Sequence, residues 1–351
     1  MWALSTAIAL NSSIGPTVVV TLETDGPHEV DRGGRAVLLG FADFGQAGSG
    51  EQVGEPEHGG FPAVRVQVGG DVGVLAYVAY GSGMPAVELE TLGDKIAGVT
   101  LNRPSRLNAI DGSLIDGMDR ALERLSGGDF RVAILTGAGR GFCAGADLSG
   151  IGEQWTKPRP TTPAFKVNYD AQVRLADLFT RLYELPIPVI AAVNGVAVGG
   201  GLAFTLVCDV RVASDQARFG SVFIKAGFSS MDMGTSYLLP KIVGAGVARE
   251  LMLTGRIIDA AEAYRIKLVH EVVAPDDLLP AALKLARSIA ENNAYGVWQT
   301  KIGLNAALDA PSLRHAIELE NRTQILSGFT NNPVEAAEAH REKRTPKWDS
   351  L

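Results

Sequence analysis

The stretch that decides the fold is Pro188–Val193 (PVIAAV), which is followed by the glycines Gly199–Gly201 and then by Leu202–Leu206 (LAFTL). The apolar run predicts a buried strand, and the residues after the glycines predict the start of a helix. Three glycines in such a turn leave no Cβ atom between the backbone N–H groups and a ligand, at the positive end of a helix dipole. The turn therefore suits a negative charge, either fixed on a phosphate or developing on a reacting oxygen.

A second glycine-rich turn lies upstream, at Gly141–Leu148, and follows a predicted strand that ends at Thr136. If the two turns lie on neighbouring strands, each can offer one N–H to the same oxygen atom, which is the arrangement of an oxyanion hole. Dinucleotide and P-loop sites fit poorly, because no G-x-G-x-x-G opens a first βαβ unit and no G-K-[ST] is present. Close packing of a helix on a strand is the alternative explanation for Gly199–Gly201.

The composition is that of a globular protein, since 46% of the 351 residues are hydrophobic, 20% are charged and the net charge is −7. No apolar run reaches the ~18 residues of a membrane span, and Met1–Leu10 lacks the basic residues of a secretory signal. The negative charge argues against nucleic acid as the main partner. Cys143 and Cys208 predict buried thiols in a reducing compartment, the cytoplasm. The histidines show no metal-ligand spacing, so we expect no metal site.

The composition of the chain changes near residue 85. Residues 1–85 are glycine-rich and acidic and contain no lysine. This N-terminal extension is of uncertain order, and a small β-rich appendage, a disordered leader and a start-site artefact all stay open. Alternating strands and helices over 86–285 predict an α/β core, and 286–351 predict a helical C-terminal region. Further local expectations are strands at Val64–Val68 and Val72–Tyr80, helices at Ser113–Leu125 and Tyr169–Leu182, a mobile loop at Ile151–Phe165, and one long helical segment at Ala294–Ala339.

Other motifs accompany the two glycine turns along the chain. In order, they are LNRPSRLNA at 101–109, GFCAGADL at 141–148, AVNGVAVGGG at 192–201, CD at 208–209, ARFG at 217–220, LTGR at 253–256 and AAEA at 260–263. Together they resemble the motifs of the crotonase (enoyl-CoA hydratase/isomerase) superfamily. The similarity covers about residues 86–351, so the acyl-CoA site is expected in the core at 86–285.

The resemblance implies a crotonase-like ββα superhelix with a helical C-terminal trimerisation region, assembled as a homotrimer or a dimer of trimers. It implies an acyl-CoA thioester as substrate and no separate cofactor, because coenzyme A is part of the substrate. By position in the motifs, the backbone N–H groups of Ala146 and Gly200 hold the thioester oxygen and stabilise the enolate. The resemblance also assigns substrate contacts to Asn108, Ala144, Gly199, Arg106 and Lys301, the last two as candidates for a CoA phosphate. A solvated surface arginine is the alternative for Arg106.

The acid and base residues depart from the pattern of the family hydratases, which use two glutamates. The corresponding positions here are Ala203 and Phe223, and neither side chain can transfer a proton. In family isomerases an acidic residue moves a proton between acyl carbons, and that position here is Asp232, three residues before Thr235. One carboxylate suffices for this step because it removes and returns the same proton. A turn or N-cap role is the alternative for Asp232.

Neighbouring apolar side chains, Phe228, Met231 and Met233, are expected to desolvate Asp232 and raise its pKa. Asp147 is expected to cap the first oxyanion turn. Three hypotheses on function stay open. The first is an enoyl-CoA isomerase with Ala146, Gly200 and Asp232 as catalytic residues and Phe223 beside the substrate. The second is an enoyl-CoA hydratase or lyase of fatty acid degradation with atypical acid/base residues. The third is a non-catalytic acyl-CoA-binding paralogue.

Overall fold

The computed structural model describes residues 85–93, 95–149 and 164–349, and four strands within residues 1–84. The chain divides into two compact units, Met1–Met84 and Pro85–Leu351. The described strands of the first unit form an antiparallel sheet in the order β2-β1-β4-β3. Their bounds are β1 Val18–Val20, β2 Leu38–Gly40, β3 Ala63–Gln67 and β4 Gly73–Val78. The two strands expected from the sequence correspond to β3 and β4.

The second unit contains a six-stranded sheet with the order β14-β11-β9-β7-β6-β5. All its neighbouring strands are parallel except the pair β5 and β6. The strands are β5 Val87–Thr91, β6 Ile96–Leu101, β7 Val132–Gly137, β9 Val189–Val193, β11 Val210–Ser214 and β14 Glu271–Val273. Parallel strands need crossover connections, which is the arrangement that the alternating sequence pattern predicts.

A smaller four-stranded sheet has the order β13-β12-β10-β8. Its strands are β8 Gly141–Cys143, β10 Val196–Val198, β12 Arg218–Gly220 and β13 Ile258–Asp259. Each strand pair β7/β8, β9/β10 and β11/β12 therefore places one strand in the large sheet and the next in the small sheet. A helix follows β9/β10 directly, and this arrangement is the ββα unit that the family resemblance implies.

The helices of the second unit cover the sheets and build the C-terminal region. They are α1 Gly112–Ser126, α2 Ala164–Tyr183, α3 Gly200–Val207, α4 Thr235–Val243, α5 Ala245–Thr254, α6 Ala260–Arg265, α7 Leu278–Ala290, α8 Ala294–Ala307, α9 Leu313–Ser327 and α10 Asn332–Glu342. The long helical segment predicted at Ala294–Ala339 consists of three helices, α8, α9 and α10. The first break spans residues 308–312 and ends at Ser312, whose side chain caps α9, and the second spans residues 328–331. Most of the predicted loop at 151–165 lies outside the described residues.

The run Val189–Val193 is buried throughout because the large sheet is covered on both faces. Val189, Ala191 and Val193 pack into the main core, while Ile190 and Ala192 face the opposite way. There they meet Leu278, Ala282 and Ala286 of α7. A strand buried on both faces shows a continuous apolar run instead of an alternating pattern. This burial fixes β9, and through it the position of the glycine turn that follows β10.

Candidate active site

The two glycine turns lie side by side in the structure. Strands β8 and β10 are parallel neighbours in the small sheet, so the turns that follow them leave from the same edge. Gly145 and Gly199 both have positive φ, +84° and +56°. A Cβ atom added to Gly145 would lie 2.9 Å from the Val198 carbonyl oxygen and 3.3 Å from the Gly200 nitrogen. The two turns therefore follow neighbouring strands, which is the condition that the sequence analysis set for an oxyanion hole, and they pack backbone against backbone.

The N–H of Ala146 is oriented by a parallel bridge to Ile110. Ile110 N donates to Gly145 O at 2.7 Å, and Asp147 N donates to Ile110 O at 2.9 Å. In this pattern the N–H and carbonyl of Ala146 itself point away from Ile110. No described residue accepts a hydrogen bond from Ala146 N or from Gly200 N, which opens helix α3. Two uncommitted N–H groups on adjacent turns are what an oxyanion hole requires.

Each of the positions Gly199, Gly200 and Gly201 requires glycine for a different physical reason. Gly199 needs its positive φ, and its N–H donates to Gly220 O at 2.9 Å. A Cβ on Gly200 would lie 2.6 Å from Ile110 Cδ1, and one on Gly201 would lie 1.9 Å from the Cys143 carbonyl oxygen. Close packing, the alternative considered from the sequence, therefore holds as well. The same absence of Cβ atoms packs α3 against β8 and keeps a Gly200 side chain away from the Gly200 N–H.

Apolar side chains occupy the positions where the resemblance implies glutamates in hydratases. Ala203 lies fully buried within α3, and its N–H donates to Gly199 O. Phe223 is buried with its Cε1 atom 3.9 Å from the Cβ position of Gly199, and Met233 Sδ lies 3.3 Å from that of Gly200. The surroundings of the second turn are therefore apolar, and Phe223, predicted from the sequence to lie beside the substrate, is one of the side chains that form them.

Asp232 is half-buried in the loop before α4, next to Met233. Its Oδ1 atom accepts hydrogen bonds from Gln172 Nε2 at 2.6 Å and from Met233 N at 2.8 Å. Burial raises the pKa of Asp232 above its ordinary value, and the hydrogen bonds from Met233 and Gln172 oppose that rise. The carboxylate does not cap α4, whose N-cap is Gly234. Its backbone makes a turn, since Thr235 N donates to Asp232 O at 2.8 Å.

The chain matches the family model described as "Enoyl-CoA hydratase/isomerase" over residues 91–350. This chain belongs to the enoyl-CoA hydratase/isomerase family. It is 39% identical over 277 residues to a protein of Mycobacterium leprae named probable enoyl-CoA hydratase, covering 77% of this chain and 92% of the relative. It is 35% identical over 251 residues to the 1,2-epoxyphenylacetyl-CoA isomerase of Escherichia coli, covering 71% of this chain and 93% of that protein.

The crystal structure of a probable enoyl-CoA hydratase/isomerase from Mycobacterium abscessus has the same fold. It superposes with a TM-score of 0.68 at 36% identity, covering 76% of this chain and 99% of that chain. The crotonase-like α/β fold and the resemblance stated from the motifs are thereby confirmed. Relatives named as hydratase and as isomerase both match the chain, in agreement with the description of the family model.

Asn108 is a buried residue whose side chain hydrogen-bonds to the backbone of neighbouring segments. Its side chain is fully buried, and its backbone has a positive φ of +56°. The amide Nδ2 donates to Gly141 O at 2.8 Å and to Ala138 O at 3.0 Å, while Oδ1 accepts from Arg103 N at 2.7 Å. Asn108 therefore connects the LNRPSRLNA segment to the first glycine turn. These bonds commit its side chain to the protein backbone.

The other predicted substrate contacts fall on the rim of the same turn. Arg106 is exposed, and Ala144 is half-buried with its N–H donating to Leu107 O at 2.9 Å.

Asp147 accepts hydrogen bonds from Ser149 and forms an ion pair with Arg103 at 3.3 Å. The Ser149 hydroxyl and N–H, then Arg103, hold the pKa of Asp147 below its ordinary value. Asp147 thus has the local structural role expected of it.

The two cysteines are buried and free, as the sequence predicted. Burial raises the pKa of each thiol to about 12, so both stay protonated and unreactive at neutral pH.

Among the described residues there is no cluster of His, Cys, Asp and Glu side chains that could hold a metal ion. Within the same part of the chain, no helix is both long and apolar enough to cross a bilayer.

Lys301, a candidate for a CoA phosphate, lies inside the protein. Its Nζ donates to Ile187 O at 2.9 Å and pairs with Asp209 at 2.9 Å, and its side chain is 4% exposed. Asp209 Oδ2 also accepts from Val189 N at 2.7 Å. The ammonium of Lys301 therefore attaches α8 to the start of β9. We leave Lys301 out of the proposed CoA site.

Replacing Lys301 with Met is expected to destabilise the fold by about 2–3 kcal/mol. This is below the ~3–5 kcal/mol of a fully buried broken pair, because Asp209 keeps 24% of its side chain exposed and stays partly solvated. Chemical denaturation measures the difference. Lys284→Met, at an exposed position on α7, serves as control and is expected to change stability little. A Lys301→Met protein with unchanged stability and a large rise in KM for a CoA ester would contradict the structural role.

Proposed function

We propose that this protein is an enoyl-CoA isomerase that shifts a double bond in an acyl-CoA thioester. The observation that carries the proposal is the set of side chains around the second glycine turn. Ala203 and Phe223 offer no proton carrier, while Asp232 offers a half-buried carboxylate beside Met233, which itself contacts the Gly200 position. A single carboxylate with a raised pKa fits a reaction in which one proton leaves and returns.

In the proposed reaction the thioester oxygen accepts hydrogen bonds from Ala146 N and Gly200 N. This polarises the carbonyl and makes the C2 protons of a 3-enoyl group more acidic. The Asp232 carboxylate takes a proton from C2, and the electron pair moves into the thioester to give a dienolate. Asp232 then gives the proton to C4, and the double bond ends between C2 and C3. No water is added, so no second proton carrier is needed.

The relatives' names support an acyl-CoA substrate, since both curated proteins are named for acting on a CoA thioester. The Escherichia coli relative is named an isomerase, which agrees with a reaction that rearranges the acyl group without adding water. The name of the Mycobacterium leprae relative favours hydration as the second candidate. Hydration would need a further acid or base besides Asp232, since Ala203 and Phe223 cannot supply one.

The proposed assembly is a homotrimer or a dimer of trimers built through the C-terminal helices. Large apolar side chains of α8, of α9 and of the residues that follow each helix are exposed in the single chain: Leu304, Leu308, Leu313, Ile325, Leu326 and Phe329. An apolar surface of this kind is typical of an interface. The oligomer and the cytoplasmic location expected from the sequence stay predictions.

Incubation with a trans-3-enoyl-CoA and, separately, with a trans-2-enoyl-CoA tests the reaction. We expect the first substrate to give the 2-enoyl isomer and the second to give no 3-hydroxyacyl-CoA, with products separated by chromatography and identified by mass. An isomer has the mass of the substrate, whereas hydration adds one water. A 3-hydroxyacyl-CoA as the main product would establish the hydratase, and binding without any product would favour a non-catalytic protein.

A further inference from the structure

Gln172 contacts Asp232 although the two residues lie 60 positions apart. Gln172 belongs to α2, and its Nε2 atom donates to Asp232 Oδ1 at 2.6 Å. Gln172 belongs to none of the sequence motifs, and its side chain lies at the surface. An exposed glutamine that reaches a half-buried carboxylate is more than a solvated side chain, because it fixes one oxygen of the group proposed to carry the proton.

The hydrogen bonds make the two oxygens of Asp232 unequal. Oδ1 accepts from both Gln172 Nε2 and Met233 N, and no described residue donates to Oδ2. The Met233 N–H is adjacent in the chain and restrains the carboxylate from one side only. The amide of Gln172 comes from another element and completes the restraint. Oδ2 is thereby left as the oxygen with capacity to accept a proton.

The neutrality of the Gln172 amide suits this task. A cationic donor would hold Asp232 in its ionised form, while a neutral amide can donate to Oδ1 whether Oδ2 is ionised or protonated. No charged side chain of a described residue contributes to the pKa of Asp232, which is set by burial and by the two hydrogen bonds. Asp232 can therefore alternate between its two states without breaking an ion pair.

Helix α2 is held in place independently of Gln172. Arg174 pairs with Asp116 at 2.6 Å, and Arg181 pairs with Asp119 at 2.6 Å, which ties α2 to α1. Gln172 therefore belongs to a helix that other residues attach to α1, so removing its amide leaves the helix in position. This separation allows the effect on Asp232 to be measured apart from an effect on folding.

We propose that Gln172 is a positioning residue that holds Asp232 Oδ1 so that Oδ2 exchanges the proton with the acyl chain. This role rests on the proposed isomerase function. In Gln172→Met, which keeps the length of the side chain and removes the donor, kcat is expected to fall about tenfold with little change in KM. The acid limb of kcat/KM is expected to move to higher pH, because the lost hydrogen bond had lowered the pKa of Asp232. Gln172→Glu is expected to move it further by adding a like charge.

Arg174→Met is the matched control, since it weakens the attachment of α2 to α1 without touching Asp232. Its pH profile is expected to be that of the unmodified protein. In the Asp232→Asn background, adding Gln172→Met is expected to have no further effect on kcat. If Asp232→Asn abolishes turnover while Gln172→Met leaves kcat and the acid limb unchanged, the positioning role is wrong and the proposed function stands. If Asp232→Asn stays active, both are wrong.

Discussion

Replacing Asp232 with Asn is expected to lower kcat for double-bond migration by about 10²–10⁴-fold, the usual contribution of a general acid–base group. The binding of a CoA ester is expected to persist, because the Ala146 and Gly200 N–H groups belong to other segments of the chain. Steady-state kinetics with a 3-enoyl-CoA measure the loss of turnover. Equilibrium titration with a CoA ester measures the binding. The two results together separate the chemistry of Asp232 from the integrity of the pocket.

The pH dependence of the unmodified protein supplies an independent readout of Asp232. A base must be ionised to take the proton, so kcat/KM is expected to fall as the pH drops through the pKa of Asp232. Because burial raises that pKa, the fall is expected at a higher pH than an ordinary aspartate would give. A raised folded-state pKa also means that ionised Asp232 favours the unfolded chain as the pH rises. Asp232→Asn is therefore expected to keep or increase stability at neutral pH.

Asp177→Asn is the matched control for this variant. Asp177 is an exposed carboxylate on α2, the helix that also carries Gln172, and its replacement is expected to leave kcat unchanged. Unmodified turnover in Asp232→Asn would remove Asp232 from the mechanism. A loss of turnover accompanied by a large loss of stability would instead point to a structural role of the hydrogen bonds that the Asp232 side chain accepts from Gln172 and Met233.

The sequence predicts the fold and the two glycine turns well because both depend on local patterns. The run Val189–Val193 is apolar throughout since its strand is buried on both faces, and the glycines mark where backbones approach closely. The long helical segment predicted for Ala294–Ala339 is helical in the structure, but helical propensity alone did not resolve the breaks near Pro311 and Gly328. A proline and an N-capping serine were the available signals for the first break.

The parts of the site that the sequence did not reveal are contacts between distant elements. Gln172 meets Asp232 only because α2 crosses the loop before α4, and no spacing rule connects positions 60 residues apart. Lys301 resembles a surface cation by residue type, yet Asp209, 92 residues away, pairs with it in the interior. In both cases the chemistry of the residue was known from the sequence, while its partner depended on tertiary packing.

Gly201→Ala is expected to destabilise the fold by at least about 3 kcal/mol and to abolish turnover. The new Cβ would lie 1.9 Å from the Cys143 carbonyl oxygen and 2.7 Å from its carbon, so the backbone of α3 or β8 must shift. The strain exceeds the ~0.5–1 kcal/mol that alanine gains over glycine within a helix. In thermal unfolding the loss corresponds to a midpoint roughly 6–12 °C lower for a domain of this size. The shift also displaces Gly200, which removes one of the two N–H groups from the proposed oxyanion hole.

Gly246→Ala provides a control at the same helix position. Gly246 is the second residue of α5, as Gly201 is of α3, and a Cβ added there meets no atom within 4 Å. Its replacement is expected to leave the unfolding midpoint unchanged or slightly higher, since only the helix propensity changes. If Gly201→Ala matched this control in both stability and turnover, the backbone of the second turn would be adaptable. The preorganised N–H groups on which the proposed mechanism depends would then lose their physical basis.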